Sequence, residues 1–153
     1  MRERAMERIL VGVDGSSASL KAVDLAAGLA NKYNAELILL TVVPHFSPGV
    51  DPALEEYARV EHIQDPATEL GLAAAKTVLD HARRAAQAKG ASRIAAEPSF
   101  GDPAHEIITA AGDRGADLIV VGSRGHGRLA GLLLGSVAHK VISLAPCPTL
   151  VVR

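Results

Sequence analysis

The chain has 153 residues, 48% of them hydrophobic, with 16 Lys and Arg against 17 Asp and Glu, for a formal net charge of −1. This length fits one domain, residues 1–153, whose core is large enough to fold without disulfides or a metal. The near-neutral charge argues against a nucleic-acid binder, which carries a basic surface, and no apolar run reaches the roughly 18 residues that a membrane span needs.

The first part of the chain contains two apolar runs separated by a helical stripe. Residues 9–13 are continuously apolar and lead into Asp-Gly-Ser-Ser at residues 14–17, a cluster that favours a turn and a helix start. Between residues 20 and 30, apolar side chains recur at steps of three and four, as on one face of a helix. Residues 37–43 are apolar at successive positions, which is typical of a parallel strand covered on both faces.

The middle of the chain is less regular and then strongly helical. Several prolines interrupt residues 44–66, where only residues 53–63 favour a short acidic helix. A long Ala- and Leu-rich helix is predicted at residues 67–89, with Gly90 as its stop. Its predicted inward face consists of Leu70, Ala74, Val78, Ala82 and Ala85.

The last third supplies three strands and two helices. A third strand is predicted near residues 93–97. Asp102 and Pro103 form a helix start, with the Asp as N-cap and the Pro in the first helical position, and Gly115 ends that helix. The remaining predicted elements are a strand at 117–121, a helix at 136–144 and a strand at 149–152.

Strands that alternate with helices predict an α/β fold, an open parallel five-stranded sheet with helices on both faces and right-handed crossovers. Only 3% of the residues are aromatic, and small or branched apolar side chains suit helices that pack closely on a buried sheet. We expect the strand order 3-2-1-4-5. In such sheets ligands bind beyond the carboxyl ends of the strands where the order reverses, here between strands 1 and 4.

The loop after strand 4 combines glycines with positive charge. Its glycines let backbone N–H groups approach an anion, and the helix that begins after Gly135 adds unsatisfied N–H groups and a partial positive charge. Arg124, His126 and Arg128 place positive side chains in the same loop. The Ser136 hydroxyl is suited either to a phosphate or to capping the helix. The loop therefore predicts a phosphate-binding site.

These residues resemble a known family. Gly122, Gly125 and Gly135-Ser136, with two and nine residues between the glycines, are similar to the ATP-binding motif of the universal stress protein family. The Val-Asp-Gly-Ser of residues 13–16 is similar to its first binding loop, and the resemblance covers residues 8–153. It implies a Rossmann-like fold that binds ATP or a related adenine nucleotide such as AMP or ADP, often dimerises and acts in stress responses.

The resemblance also implies which residues contact the nucleotide. Around the nucleoside it implies Val13, Asp14, Gly15 and, beside the adenine, Val42. Around the ribose and phosphates it implies Gly122, Ser123, Gly125, Gly135, Ser136 and Val137. The positive Arg124 and His126 complete the candidate binding residues, and Mg²⁺ is expected on the phosphates.

Simpler interpretations stay open at this point. Glycines after a strand often only form turns, and Asp14 taken alone fits a local role, as an N-cap or in an Asx turn, as well as it fits ligand binding. Other nucleotide motifs do not match: a Walker A loop needs Lys directly after its last glycine, whereas Lys140 lies five residues beyond Gly135. No His or Cys spacing indicates a metal site, and no catalytic residue is evident.

Three functions fit the sequence. The first is a nucleotide-binding regulatory or sensor module, and the second is a slow ATPase or autophosphorylating enzyme using Asp14, a loop serine and Mg²⁺. The third is a structural dimer with a vestigial site. Residues 149–152 are apolar and lie at the predicted sheet edge, so we expect a homodimer through this strand. The single Cys147 cannot form an internal disulfide, which favours the cytoplasm and an inert thiol. We expect neither nucleic acid nor membrane as a partner.

Overall fold

The computed structural model describes residues 5–45, 66–125 and 134–153, together with the helical positions 53, 56, 59 and 60. The strands are β1 (Arg8–Gly12), β2 (Glu36–Val43), β3 (Ile94–Phe100), β4 (Leu118–Gly122) and β5 (Thr149–Val152). The helices are α1 (Ser17–Tyr33), α2 (Pro66–Ala88), α3 (Pro103–Arg114) and α4 (Ser136–Leu144). Most of the predicted helix at 53–63, and also His126 and Arg128, lie outside the described residues. No helix within the described ranges is both long and apolar enough to cross a membrane.

The five strands form one sheet in which every neighbouring pair is parallel, in the order β3-β2-β1-β4-β5. This confirms the predicted fold class and strand order. From the central β1 the chain moves outward to β3, and then returns to β4 on the other side. The order therefore reverses between β1 and β4, whose carboxyl ends open side by side at one edge of the sheet.

The core has two layers because successive residues of a strand point to opposite faces of the sheet. On β1, Ile9 and Val11 pack in the layer formed with α1 and α2, whereas Leu10 packs in the layer formed with α3 and α4. All three side chains are fully buried. Burial on both faces explains why the central strands are apolar at successive positions.

Small residues let the helices lie close to the sheet. The buried face of α1 consists mainly of alanines and includes Ala22 and Ala26. At the end of β4, a Cβ added to Gly122 would lie 2.8 Å from the carbonyl carbon of Ala18 and 2.9 Å from the nitrogen of Ser19, both in the first turn of α1. Only glycine fits there, so β4 ends directly against the start of α1.

Helix α2 buries a face that only partly matches the predicted one: Ala82 is fully buried, and Val78 and Ala85 pack partly buried against the core. The buried residues are Ala75, Leu79, Ala82 and Ala86. Leu70 is 49% exposed, and Ala74 is exposed as well. Alanines spread over more than half of the circumference of this helix, so periodicity alone did not fix the centre of the buried face. The position of the helix over β2 and β3 decides which alanines are covered.

Several strand ends also differ from the prediction. Strand β1 begins and ends one residue earlier than predicted, and β4 begins and ends one residue later. Strand β2 begins one residue earlier. The largest difference is at β3, which continues through Pro98 to Phe100. A proline is tolerated there because β3 is an edge strand. On its open side there is no neighbouring strand, so the N–H that proline lacks costs no hydrogen bond between strands.

Candidate functional site

A cavity of about 590 Å³ opens at the carboxyl edge of the sheet, where β1 and β4 diverge. Its walls are the ends of β1, β2 and β4, one side of α2, and the first turns of α3 and α4. Small-molecule sites range from about 300 to 1,000 Å³ and occur at this point of open α/β sheets. The volume and position of the cavity therefore suit a ligand of nucleotide size.

The loop after β1 is fixed by its own side chains. The Ser16 hydroxyl caps α1 by accepting a hydrogen bond from the Ser19 N–H at 3.2 Å. Oδ1 of Asp14 accepts a hydrogen bond from the Ser16 N–H at 2.9 Å, which makes an Asx turn, and Gly15 completes the turn with a φ of +81°. Ser16 is therefore the N-cap, and the Asx turn holds the Asp14 carboxylate at the cavity, which it lines.

The loop after β4 contacts the first loop directly. The Ser16 hydroxyl lies 3.5 Å from the carbonyl oxygen of Arg124, to which it donates. Oδ2 of Asp14 occupies the space that a Cβ on Gly125 would need. The two loops, more than 100 residues apart in sequence, thus meet across the point where the strand order reverses.

Short backbone hydrogen bonds anchor the second loop. The Ser123 N–H donates to the Val152 carbonyl at 2.7 Å, and the Ser123 carbonyl accepts from the Gly135 N–H at 2.6 Å. Gly135 is the N-cap of α4 and provides no side-chain hydrogen bond to the helix. Ser136 is the first helical residue, so the capping interpretation of its hydroxyl is wrong. The start of α4 faces the cavity through Ser136 and Val137, and is suited to bind an anion.

The opposite part of the cavity is apolar. Val13 and Val42 line it at the ends of β1 and β2, and α2 contributes Ala74 and Val78 to the same lining. The sequence prediction missed this contribution of α2. The available signal was Gly71 in the interior of a helix, which marks close packing: a Cβ at this position would lie 2.5 Å from Cγ1 of Val43.

The charge of the cavity wall is nearly balanced. Among the described residues that line it, Arg124 carries the only positive charge and Asp14 the only negative charge. No group of three or more His, Cys, Asp or Glu in the described part of the chain is arranged to hold a metal ion by itself. A metal at this cavity would therefore need ligands from the bound molecule as well.

The structure brings most of the predicted binding residues to this one cavity. Of those that the structure describes, all except Gly15 line it. Gly15 shapes the turn behind Asp14, and His126 lies outside the described residues. Cys147 lies apart from the cavity among partly buried residues, where burial raises the pKa of its thiol.

Comparisons with known proteins agree with this architecture. The sequence profile of the universal stress protein family matches residues 6–153. Universal stress protein YxiE of Bacillus subtilis is 38% identical over 95% of this chain and 98% of its own. The solved structure of universal stress protein UspA from Lactobacillus plantarum is 30% identical with a TM-score of 0.78, covering 99% of this chain and 100% of that one. The structure of a universal stress protein in complex with cAMP is 34% identical with a TM-score of 0.73, covering 97% and 98%.

Proposed function

The chain belongs to the universal stress protein family, and we propose that it binds an adenine nucleotide, ATP or a related form, in the cavity between β1 and β4. One observation carries the proposal. Two loops meet there beside a helix start that has no side-chain cap, and one of them has glycine where a Cβ would clash with the Asp14 carboxylate. This arrangement offers backbone N–H groups to a phosphate chain.

The base is proposed to lie in the apolar part of the cavity. None of the described lining residues is aromatic, so the adenine ring packs against Val13 and Val42 instead of stacking on another ring. The related structure that contains cAMP supports adenine as the base, since cAMP is an adenine nucleotide.

The phosphates are proposed to follow the second loop toward the start of α4. This path passes the Asp14 carboxylate, which lies beside Gly125 and repels a phosphate. The Asp14 carboxylate would instead share a Mg²⁺ ion with the phosphate oxygens, since Mg²⁺ prefers one or two carboxylates together with phosphates, and this would offset the repulsion. Asp14 is therefore the residue that would hold the metal, while Ser123 and Ser136 offer hydroxyl groups to the phosphates.

We further propose that the protein acts as a homodimeric regulatory module in the stress response. Strand β5 is an edge of the sheet, its residues are only partly buried, and a second copy offers a matching apolar strand. The Ser123–Val152 hydrogen bond joins this strand to the proposed phosphate loop. The single Cys147 needs no oxidising compartment, which suits a cytoplasmic location.

The experiment is thermal unfolding with and without Mg-ATP, combined with mass spectrometry of any nucleotide that co-purifies. A ligand at 100 times its Kd stabilises the folded state by about 2.7 kcal/mol, which raises the Tm measurably. CTP serves as the control for base recognition. A Tm unchanged by millimolar Mg-ATP, AMP and cAMP, with no nucleotide in the purified protein, refutes the proposal.

A further inference from the structure

Lys140 and Asp102 form an ion pair at the rim of the cavity, with Nζ 3.6 Å from Oδ1. Each partner has a cavity-lining residue close to it in sequence. Pro103 follows Asp102, and Ser136 lies one helical turn before Lys140. The pair therefore connects the starts of α3 and α4 beside the cavity mouth.

The two partners differ in how firmly they are held. Oδ2 of Asp102 caps α3 by accepting a hydrogen bond from the His105 N–H at 3.0 Å. Lys140 has a long flexible stem, and its side chain is 56% exposed. Helical side chains lean toward the N-terminus of their own helix, so Lys140 extends over the turn that contains Ser136. That turn is where the phosphates are proposed to lie.

The described part of the cavity wall carries no net positive charge to balance a polyphosphate. Its described lining residues contribute one positive and one negative charge, Arg124 and Asp14. The start of α4 supplies backbone N–H groups that suit one phosphate group. Further phosphates extend beyond this turn toward the rim, where Lys140 provides a positive charge.

We propose that Lys140 exchanges Asp102 for the distal phosphates of a bound nucleotide, and thereby makes the site prefer ATP to AMP. This inference rests on the proposed nucleotide binding. The exchange costs little because an exposed ion pair contributes little to stability. A phosphate oxygen offers Lys140 a charge-assisted hydrogen bond in return. Asp102 remains in place as the cap of α3, so the exchange does not disturb that helix.

The test compares Kd values for ATP and AMP by calorimetry at a fixed concentration of free Mg²⁺. Lys140→Gln is expected to weaken ATP binding by about tenfold, the effect of one charge-assisted hydrogen bond, and AMP binding by less than about twofold. Lys140→Arg is expected to retain the preference for ATP. Lys89→Gln removes the same charge from an exposed position just beyond the end of α2. This position lies near the amino ends of the strands, away from the cavity, so both Kd values should stay unchanged.

Asp102→Asn provides a second, independent variant. Asn also caps helices, so α3 keeps its start while Lys140 loses its partner. ATP binding should become tighter in Asp102→Asn, and this gain should disappear when Lys140→Gln is added. An ATP to AMP preference unchanged in Lys140→Gln, or a gain that persists in the double variant, overturns the inference alone. Failure of the wild-type protein to bind either nucleotide overturns the proposed function and the inference together.

Discussion

Gly122 is the position where one added methyl group should disturb the fold most directly. A Cβ at this residue would lie 2.8 Å from the backbone of Ala18, whereas carbon atoms make contact at about 3.5 Å. The variant Gly122→Ala must therefore move the start of α1 by roughly 0.7 Å relative to β4. The atoms that the Cβ would meet include helix backbone, which cannot rotate away as the end of a flexible side chain can. The strain is therefore not relieved by a local side-chain movement.

We expect Gly122→Ala to lower the free energy of unfolding by about 1–3 kcal/mol, the range found for overpacked cores. At this chain length each kcal/mol lowers the Tm by about 2–4 °C. The shift also moves Ser19, whose N–H donates to the capping Ser16 hydroxyl, so nucleotide binding should weaken as well.

The assay is urea unfolding followed by circular dichroism, with the m-value compared between variants so that a change in midpoint reports stability. Gly28→Ala is the matched control, since Gly28 lies within α1 and a Cβ there has no atom within 4 Å. This control should be more stable than wild type by about 0.5–1 kcal/mol, because alanine favours a helix interior. Wild-type stability in Gly122→Ala would refute the packing argument.

Three further measurements test other parts of the molecule. Gly125→Ala should fold but lose at least about tenfold in nucleotide affinity, since its Cβ displaces the Asp14 carboxylate beside the phosphate path; an unchanged Kd by calorimetry would contradict this. The pKa of Asp102 is lowered by the hydrogen bond from the His105 N–H and by Lys140, so its charged form adds stability above pH 4 that is lost as the pH falls further. The stability advantage of wild type over Asp102→Asn in urea unfolding should accordingly shrink below about pH 4. An advantage that stays constant down to pH 2 would contradict a stabilising role of the Asp102 charge. Burial raises the pKa of Cys147, so a thiol reagent at pH 7.5 should modify the folded protein more slowly than the urea-unfolded protein, and equal rates would show an accessible thiol.

Local chemistry made several features of this protein predictable. Asp102 caps α3, Pro103 occupies its first position and Gly115 ends it in a left-handed conformation, as the residue types indicate. Helix α4 has the predicted limits, and so does strand β5. These features depend on backbone groups within a few residues of each other, so the sequence of one segment contains the information needed to predict them.

The candidate site was partly predictable for a related reason. The glycines and the Asp14 turn mark the two loops, and the alternation of strands and helices predicts the edge at which both loops open. The sequence could not choose between an N-cap and an Asx turn for Asp14, because both are local and nearly equivalent. The contact between Ser16 and the Arg124 carbonyl decides how the two loops fit together, and it joins residues more than 100 positions apart.

The sequence by itself thus determined the order of the elements, the apolar strands and the chemistry of the two loops. Only the tertiary structure decided that α2 buries Ala75 and Leu79 while Leu70 stays exposed, and that Gly71 brings this helix against Val43 to close the cavity. The physical reason is that the small apolar residues of α2 cover more than half of its circumference, opposite a polar face that includes Lys76, Asp80 and Arg83, so the surface it packs against sets its exact orientation. Periodicity shows which residues share a face, whereas packing shows which face meets the sheet.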